Sequence, residues 1–201
     1  MFLNQNKIDK NYKKGVVWGQ DKPNKYVIKL ASLLNKGSKI LDLGCGEGRN
    51  TIFLAQEGFD LTAIDISKVA VDQMNHKLKQ LGFNVEGSVC SIQDYDFNSK
   101  YDAIISTTVI HLLSKEDQIK CIENMQINTK HNGFNLITVF TKKDHGFLEY
   151  PELSFLNLDE FVPFYCNGNW TILINEEYIK HETHGVPHDH NIAIILAQKN
   201  N

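Results

Sequence analysis

The chain has 201 residues, of which 42% are hydrophobic and 22% charged, and its formal net charge is -3. These values fit a globular protein with its own core, and they exclude a disordered chain or a membrane protein. A slightly acidic chain has no long-range attraction for polyanions, so we expect no nucleic-acid partner.

The whole chain, residues 1–201, is expected to form one domain, with residues 1–35 as an N-terminal helix or lid region. The sequence contains neither a signal-peptide core nor an apolar run long enough to span a membrane. The four cysteines show no CxxC spacing, which favours free thiols in a reducing compartment. We therefore expect a cytoplasmic protein without a membrane partner.

A first helix is predicted between Asp21 and Gly37. Asp21 and Pro23 fit a helix start, apolar residues then recur on one face, and Gly37 fits the end of the helix. In front of this helix lies the short segment GVVWGQD. Its Trp18 is either a buried core residue or a lid over a bound cofactor, and the sequence favours neither.

The next stretch, residues 39–50, combines a strand, a tight turn and a helix start. Its sequence, KILDLGCGEGRN, is an apolar run that carries one carboxylate, Asp42, and ends in three glycines. Glycines leave no side chain between the backbone and a ligand, and the predicted helix 49–57 directs its free N–H groups at the same point. A carboxylate near the end of a buried strand needs a cation or a donor as its partner. These features predict a cradle for a nucleotide-like cofactor.

The rest of the chain continues to alternate strands and helices, which predicts a mostly parallel sheet covered on both faces. Helices are expected after Ser67 and Ser114, which can cap them. Two final runs are joined without a helix, so they predict a hairpin with one antiparallel strand. We expect a doubly wound, Rossmann-like α/β fold of seven strands with an antiparallel C-terminal strand. Beyond the first strand, the predicted strands are 60–66, 84–90, 102–108, 134–141, 171–181 and 191–199.

The glycine spacing distinguishes two classes of cofactor. Dinucleotide enzymes use G-x-G-x-x-G, with an acidic residue about 20 positions later for the ribose. Here the glycines follow G-x-G-x-G, and Arg49 stands where the third dinucleotide glycine would be. Asp65, at the end of the second predicted strand, suits a ribose in either class. The glycine spacing and Asp42 together favour S-adenosylmethionine, because its ammonium group suits a carboxylate that would repel a pyrophosphate.

The motif LDLGCGEGRN resembles the first motif of class I S-adenosylmethionine-dependent methyltransferases, and Asp65 resembles their ribose-binding acidic residue. The antiparallel final strand is also similar to that family's sheet. The resemblance implies that Asp42, Gly44 and Gly46 hold the methionine moiety of the cofactor. It also implies that Asp65 binds the ribose hydroxyls.

The same resemblance implies that Ser91 and Ile92 border the adenine and that Thr107 closes the pocket. Many members have an acidic residue where Ser91 stands, and a serine accepts the adenine amino group more weakly. Arg49 is a cation at a helix start, which indicates an anionic partner, either the cofactor carboxylate or an anionic substrate. Cys45 suits a packing role better than that of a nucleophile. The expected cofactor-binding residues are Trp18, Asp42, Gly44, Cys45, Gly46, Arg49, Asn50, Asp65, Ile66, Ser91, Ile92 and Thr107.

A narrower resemblance rests on VWGQDKP, LDLGCGEGRN, STTVIHLL and NGFNLITVFT, in this order in a short chain. This set is similar to the tellurite-resistance methyltransferases. That family implies methyl transfer to tellurite- or selenite-type oxyanions and to other small soft nucleophiles. Its best-known members handle the substrate with a histidine followed by an arginine, whereas here Glu182 follows His181.

Three histidines, His111, His181 and His184, are the candidate catalytic residues. His111 follows the fourth predicted strand, where open α/β sheets bind ligands, although a structural hydrogen bond would equally explain it. His181 and His184 belong to the loop HETHGVPHDH, which we expect on the cofactor side of the sheet. Such histidines can bind an oxyanion when protonated or accept a proton when neutral. The pairs His181/His184 and His188/His190 could ligate a metal, but the loop lacks a zinc signature, so no metal is predicted.

We expect an enzyme that transfers a methyl group from S-adenosylmethionine to a small molecule, under an aromatic lid formed by residues 147–165. A hydroxyl or amine acceptor would need a base, for which His111 or His184 would serve, whereas an oxyanion or thiolate would not. Two alternatives remain, a nucleotide-dependent oxidoreductase and a non-catalytic protein that binds or senses the cofactor. The sequence makes no prediction of the oligomeric state.

Overall fold

One mixed sheet organises the protein, whose computed structural model describes residues 5–14, 22–150, 153–182 and 188–201. Seven strands form it within these ranges, and the predicted number is therefore confirmed. The strands are β1 (Lys39–Leu43), β2 (Asp60–Asp65), β3 (Ser88–Val89), β4 (Tyr101–Thr107), β5 (Thr129–Phe140), β6 (Trp170–Glu182) and β7 (His188–Lys199).

The strand order across the sheet is β3-β2-β1-β4-β5-β7-β6. The first five strands are all parallel, with β1 at the centre between β2 and β4. The last strand, β7, enters between β5 and β6 and runs antiparallel to both. β6 is therefore parallel to β1, and the end of β6 and the start of β7 lie at the carboxyl edge of the parallel strands. This arrangement confirms the predicted fold, including the reversed C-terminal strand.

Seven α-helices and two short 3₁₀ helices accompany the sheet in the described ranges. None of these helices has both the length and the apolar character needed to cross a membrane. The α-helices are α1 (Gln5–Lys13), α2 (Lys25–Ala31), α3 (Arg49–Gln56), α4 (Lys68–Gln80), α5 (Lys115–Asn128), α6 (Gly146–Glu149) and α7 (Leu158–Phe161), and the 3₁₀ helices are Ile110–Leu112 and Val162–Tyr165.

The core has two main layers because successive strand residues point to opposite faces of the sheet. On β4, Ile104 belongs to a buried cluster with Ile122 and Met125 of α5. Its neighbour Ile105 belongs to the opposite cluster, which includes Leu30 of α2 and Leu54 of α3. β4 is buried on both faces, as its apolar sequence predicts for a central parallel strand.

Several element boundaries differ from those predicted. The first helix begins after Asn24, whose side chain accepts a hydrogen bond from the Tyr26 N–H, and it ends at Ala31, well before Gly37. The third strand is reduced to Ser88–Val89, an exposed edge segment that pairs only with the end of β2. The fifth strand begins at Thr129 instead of 134, because it pairs with β4 directly after α5.

Helix α1 lies within the N-terminal region, residues 1–35, for which a helix or lid was predicted. It packs on α4, where the hydroxyl of Ser67 donates to the Asp9 carboxylate. Ser67 also caps α4 as predicted, because its side chain accepts from the Ala70 N–H at 3.2 Å. Ser114 caps α5 in the same way, accepting from the Asp117 N–H at 3.1 Å.

Candidate functional site

The turn between β1 and α3 requires glycine for two separate reasons. Gly44 and Gly48 have φ angles of +77° and +83°, in the left-handed region that other residues rarely adopt. A Cβ atom would also lie 2.5 Å from Val109 Cγ2 at Gly44 and 2.2 Å from Met74 Cγ at Gly48. The turn therefore packs tightly against the side chains of Val109 and Met74, and its backbone forms part of the cavity wall.

Asp65 fixes this turn to the end of β2. One carboxylate oxygen accepts a hydrogen bond from the Gly46 N–H at 2.9 Å, and the other accepts from the Ser67 N–H at 2.8 Å. Burial raises the pKa of Asp65, and these two backbone donors offset only part of that rise. Each oxygen keeps a further lone pair, and the residue lines the cavity, where a ribose hydroxyl could donate to it.

Asp42 lies behind the cavity wall, with only 1% of its surface exposed. Its Oδ2 atom accepts from the Thr51 hydroxyl at 2.7 Å, whereas Oδ1 has no hydrogen-bond partner among the described residues. Burial raises the pKa of Asp42 to about 6, which shows how poorly its charge is solvated. A cationic group next to the turn would relieve this cost, so the position fits the ammonium group of S-adenosylmethionine.

A single cavity of about 1100 Å³ opens along the carboxyl ends of the parallel strands. Two residues of the expected cofactor site, Asp42 and Ser91, do not line it. Trp18 lies outside the described residues. The expected cofactor-binding residues that do line the cavity are Gly44, Cys45, Gly46, Arg49, Asn50, Asp65, Ile66, Ile92 and Thr107.

Asn50 connects three elements at one wall of this cavity. Its side-chain amide donates to the Thr107 hydroxyl at 2.9 Å, which ties the start of α3 to the end of β4. Its amide oxygen accepts from the Asn24 N–H at 2.9 Å, which adds the start of α2. Asn50 and Thr107 are both buried, so their contribution to the wall is a fixed polar pair.

Ser91 lies outside the cavity lining and makes a local turn. Its hydroxyl donates to Asp94 Oδ2 at 2.6 Å and accepts from the Asp94 N–H at 3.2 Å. The carboxylate of Asp94 is therefore held three residues beyond Ser91. Ile92, next to Ser91, does line the cavity.

Helix α1 contributes cavity residues that our sequence analysis did not single out. Ile8, Asn11 and Tyr12 line the cavity, and the Tyr12 hydroxyl lies 2.8 Å from the position of a Cβ atom at Gly46. Burial, followed by the nearby charges of Asp65 and Glu47, raises the pKa of Tyr12. Ile8 and Tyr12 are four residues apart on an otherwise polar helix, and this spacing is the signal that could have identified them.

His111 is fully buried in an aromatic wall of the cavity. Its ring lies 4.6 Å from that of Phe140 and 5.6 Å from that of Phe155, measured between centroids. Burial lowers the pKa of His111 to about 3, so the imidazole is neutral at physiological pH. This predicted catalytic histidine thus lines the cavity, and its main contacts are with the aromatic rings of Phe140 and Phe155.

Of the other two predicted catalytic histidines, the structure describes one, His181, and does not bring it into the cavity. His181 has 78% of its side chain exposed, pairs with the Asp189 carboxylate and is absent from the cavity lining. His184 lies outside the described residues. Two histidines of the same loop that are not among the candidate catalytic residues, His188 and His190, line the cavity.

These two histidines belong to a polar cluster around Asp144. Asp144 Oδ2 lies 3.0 Å from His190 Nδ1, and His190 Nε2 lies 3.1 Å from His188 Nε2. His145, next to Asp144, lies within 5.3 Å of both imidazoles, centroid to centroid. Asp144, His145 and His190 each bring a ligand atom within 4.8 Å of the others, but both Asp144 oxygens already accept backbone hydrogen bonds. The cluster is therefore organised as a hydrogen-bonded network.

The predicted aromatic lid divides into two parts with different positions. Tyr150, Leu153 and Phe155 line the cavity, as expected of a cover for the substrate. Phe161 and Tyr165 instead lie in the core, where the Tyr165 hydroxyl donates to Asn135 Oδ1 at 3.0 Å. Only the first part of the predicted lid, up to Phe155, therefore lines the cavity, and the later part packs in the core before β6.

Comparison with known proteins places this geometry in a family. The model of the family described as "Tellurite resistance protein TehB" matches residues 4–185. A curated relative from Haemophilus influenzae (strain 10810), a probable S-adenosyl-L-methionine-dependent methyltransferase TehB, is 34% identical over 106 residues. That match covers 53% of this chain but 37% of the relative, so the chain matches little more than a third of the relative's length.

Three further proteins are similar to this chain in fold or in sequence. The crystal structure of TehB from Haemophilus influenzae superposes with a TM-score of 0.76 and 25% identity, covering 98% of this chain and 67% of that one. A Burkholderia thailandensis 1,6-didemethyltoxoflavin-N1-methyltransferase gives a TM-score of 0.76 at 16% identity, covering 98% and 87%, which shows the fold alone. The ubiquinone biosynthesis O-methyltransferase of Rickettsia canadensis is 30% identical over 126 residues, covering 61% of this chain and 52% of the relative.

Proposed function

The chain belongs to the family of the tellurite resistance protein TehB, and we propose that it is an S-adenosylmethionine-dependent methyltransferase acting on a small molecule. The observation that carries this proposal is the pair of carboxylates at the glycine turn. Asp65 faces the cavity from the end of β2, and Asp42 keeps one buried oxygen without a partner among the described residues. A ligand with both a ribose and an ammonium group matches this pair.

Each part of the cofactor would meet a chemically suitable group. Asp42 and the Gly44–Gly46 backbone would hold the methionine moiety, and Asp65 would accept hydrogen bonds from the ribose hydroxyls. Ile66 and Ile92 offer apolar side chains for the adenine, while Asn50 and Thr107 form a polar wall nearby. The relative from Haemophilus influenzae is named as a methyltransferase that depends on the same cofactor.

The role of the protein in this reaction is alignment. The cofactor supplies a methyl group that its sulfonium already activates, so the site needs to align the acceptor with that group and exclude water. The fixed glycine turn would hold the donor on one side of the cavity. Tyr150, Leu153 and Phe155 would cover the other side and keep water away from the methyl group.

The finer proposal concerns the acceptor. The family's description names tellurite, so tellurite and selenite are the first oxyanions to test. The cavity lining carries charges of both signs, since Lys25 and Arg49 contribute positive charge and Asp144 negative charge, so the screen should include neutral as well as anionic acceptors. The slightly acidic chain and the free thiols of Cys45, Cys90, Cys121 and Cys166 support our proposal of a cytoplasmic enzyme without a nucleic-acid partner.

Two measurements test the proposal. Titration calorimetry should detect S-adenosylmethionine binding and no heat with NADH, whereas heat with NADH alone would leave the oxidoreductase alternative. An acceptor screen with tellurite, selenite, small thiols and hydroxylated aromatics should then release S-adenosylhomocysteine. Tight binding of S-adenosylmethionine without turnover of any acceptor would identify a cofactor-binding or sensor protein instead.

A further inference from the structure

Asp144 is a buried carboxylate with a complete set of donors. It follows β5 and has 1% of its side chain exposed. The Gly146 N–H donates to Oδ1 at 2.9 Å, and the Asn191 N–H donates to Oδ2 at the same distance. Burial raises the pKa of Asp144, but the hydrogen bonds from His190, Gly146 and Asn191 outweigh it and hold the pKa below its ordinary value. Asp144 is therefore a fixed negative charge at neutral pH.

This charge orients the imidazole of His190. Because Asp144 is ionised and lies 3.0 Å from His190 Nδ1, that nitrogen carries the proton and donates it. The other nitrogen, Nε2, then presents a lone pair. The ring is held flat against Phe140, with centroids 4.3 Å apart and planes 4° from parallel, and 14% of the side chain is exposed. His190 thus has a fixed tautomer and a fixed orientation.

The Nε2 lone pair of His190 lies at the cavity, where a hydroxyl group of a bound methyl acceptor could donate a hydrogen bond to it. Both His190 and His188 line it, and their Nε2 atoms lie 3.1 Å apart, so a neutral His190 protonated on Nδ1 would accept a hydrogen bond from His188. A hydroxyl group of a bound molecule would take the place of His188 as that donor. The arrangement of a buried carboxylate, an imidazole and a proton donor is one that accepts protons in catalysis.

We propose that His190 is the catalytic base of this protein, that Asp144 is its positioning residue, and that the acceptor is a small aromatic hydroxyl compound. The proposal rests on the proposed methyl transfer and specifies its substrate class. Phe140 stacks on His190, and Phe155 and Ile192 line the same cavity, so its apolar surface suits a flat aromatic body. An oxyanion such as tellurite attacks through a lone pair that carries no proton, so it would make no use of the Asp144–His190 pair.

The chemical step requires a base for this class of acceptor. An aromatic hydroxyl has a pKa of about 10, so it is protonated at neutral pH and is then a weak nucleophile. Its oxygen forms the new bond to the methyl carbon while the carbon–sulfur bond of the donor breaks, and that electron pair stays on sulfur. The hydroxyl proton moves to His190 Nε2, and the negative charge of Asp144 stabilises the imidazolium that forms.

The test compares acceptors of different acidity. In His190→Gln, S-adenosylhomocysteine release should fall about 100-fold or more with a phenol of pKa about 10. With a nitrophenol that is already ionised at the assay pH, the loss should shrink to about threefold, because no proton needs to be accepted. Imidazole in solution should restore part of the phenol activity of His190→Ala. His76→Gln, an exposed histidine on α4, is the matched control and should behave as wild type.

Asp144→Asn tests the positioning role through the same readout. An asparagine would donate to His190 Nδ1 and so reverse the tautomer, which should give a loss that depends on acceptor acidity in the same way. A loss that is equal for all acceptors, in either variant, would overturn the inference and leave these residues structural. An unchanged rate in His190→Gln with the phenol would also overturn it.

The inference and the proposed function fail in different ways. If the wild type binds S-adenosylmethionine and methylates tellurite or selenite but no phenol, the acceptor class is wrong while the methyltransferase proposal stands. If it binds the cofactor and turns over no acceptor, both the inference and the enzymatic proposal are lost. Absence of S-adenosylmethionine binding would remove the proposed function itself.

Discussion

The two sides of the cavity are built in opposite ways. The cofactor side, residues 39–65, is one continuous stretch in which the glycine backbone and two carboxylates lie close together in the chain. The acceptor side joins Asp144 to His190, which are 46 residues apart and meet only because β7 pairs with β5. A site formed by local backbone geometry can be read from the sequence, whereas a site formed by strand pairing requires the topology.

The buried carboxylates of the two sides also differ in their hydrogen bonding and in the direction of their pKa shifts. Asp42, on the cofactor side, has a pKa raised to about 6 and one oxygen without a partner among the described residues. Asp144, on the acceptor side, accepts three hydrogen bonds and has a lowered pKa. We infer that the cofactor side is completed by its ligand, whereas the acceptor side is organised in advance. The following predictions test this contrast, from the largest expected effect to the smallest.

The backbone of the cofactor side should not tolerate added side-chain atoms. Gly48→Ala combines a φ of +83° with a Cβ position 2.2 Å from Met74 Cγ, so we expect it to lower the free energy of unfolding by about 3 kcal/mol. Gly82→Ala is the matched control, since its φ is +80° but nothing lies within 4 Å. The control should lose about 1 kcal/mol in urea unfolding. Equal losses would mean that the packing behind the turn is unimportant.

Asp65 should matter mainly for cofactor affinity. Asp65→Ala removes the acceptor for the Gly46 N–H and for the expected ribose hydroxyls, so we predict about 100-fold weaker S-adenosylmethionine binding by calorimetry. Asp60→Ala, at the exposed start of β2, should bind as wild type. Circular dichroism should show that both variants are folded. If Asp65→Ala and Asp60→Ala bound S-adenosylmethionine with affinities within threefold of each other, a ribose-binding role for Asp65 would be contradicted.

Asp42 should make cofactor binding depend on pH. Its pKa of about 6 means that the free protein takes up a proton as the pH falls through this value. A bound ammonium group favours the carboxylate and lowers that pKa, so affinity is highest above pH 6 and should fall by up to about tenfold per pH unit below it. Calorimetry between pH 5 and 7 would measure this slope. Asp42→Asn should bind S-adenosylmethionine more weakly, and its affinity should not change with pH in this range. If the affinity of Asp42→Asn fell with pH as steeply as that of the wild type, Asp42 would be excluded as the source of the pH dependence.

Much of the fold could be predicted because its signals are local. The caps at Ser67 and Ser114 and the apolar runs of β1 and β4 each depend on a few neighbouring residues. The third strand was overestimated because only Ser88 and Val89 find a partner on β2, which no local pattern reveals. Helix α1 had only two apolar positions facing the cavity, too few to stand out in a polar segment.

The candidate site was predictable to a different extent on each side. Most of the expected cofactor-binding residues line the cavity, since a strand end and its turn define their positions, and their role stays a prediction. On the proposed acceptor side, His188 and His190 of the histidine loop line the cavity, whereas His181 does not, and the sequence alone could not distinguish these three residues. His190 differs from His181 through its contacts with Asp144 and Phe140, and neither contact is visible from spacing along the chain.

The reversed entry of β7 also sets the order in which the site becomes complete during synthesis. β7 lies between β5 and β6, so these two strands are joined in one sheet only after the last strand has been made. The cofactor side, from β1 to β4, leaves the ribosome long before His190. The residues of the proposed cradle for the methyl donor are therefore all synthesised before the proposed proton acceptor, and the Asp144–His190 pair can form only once β7 has been made.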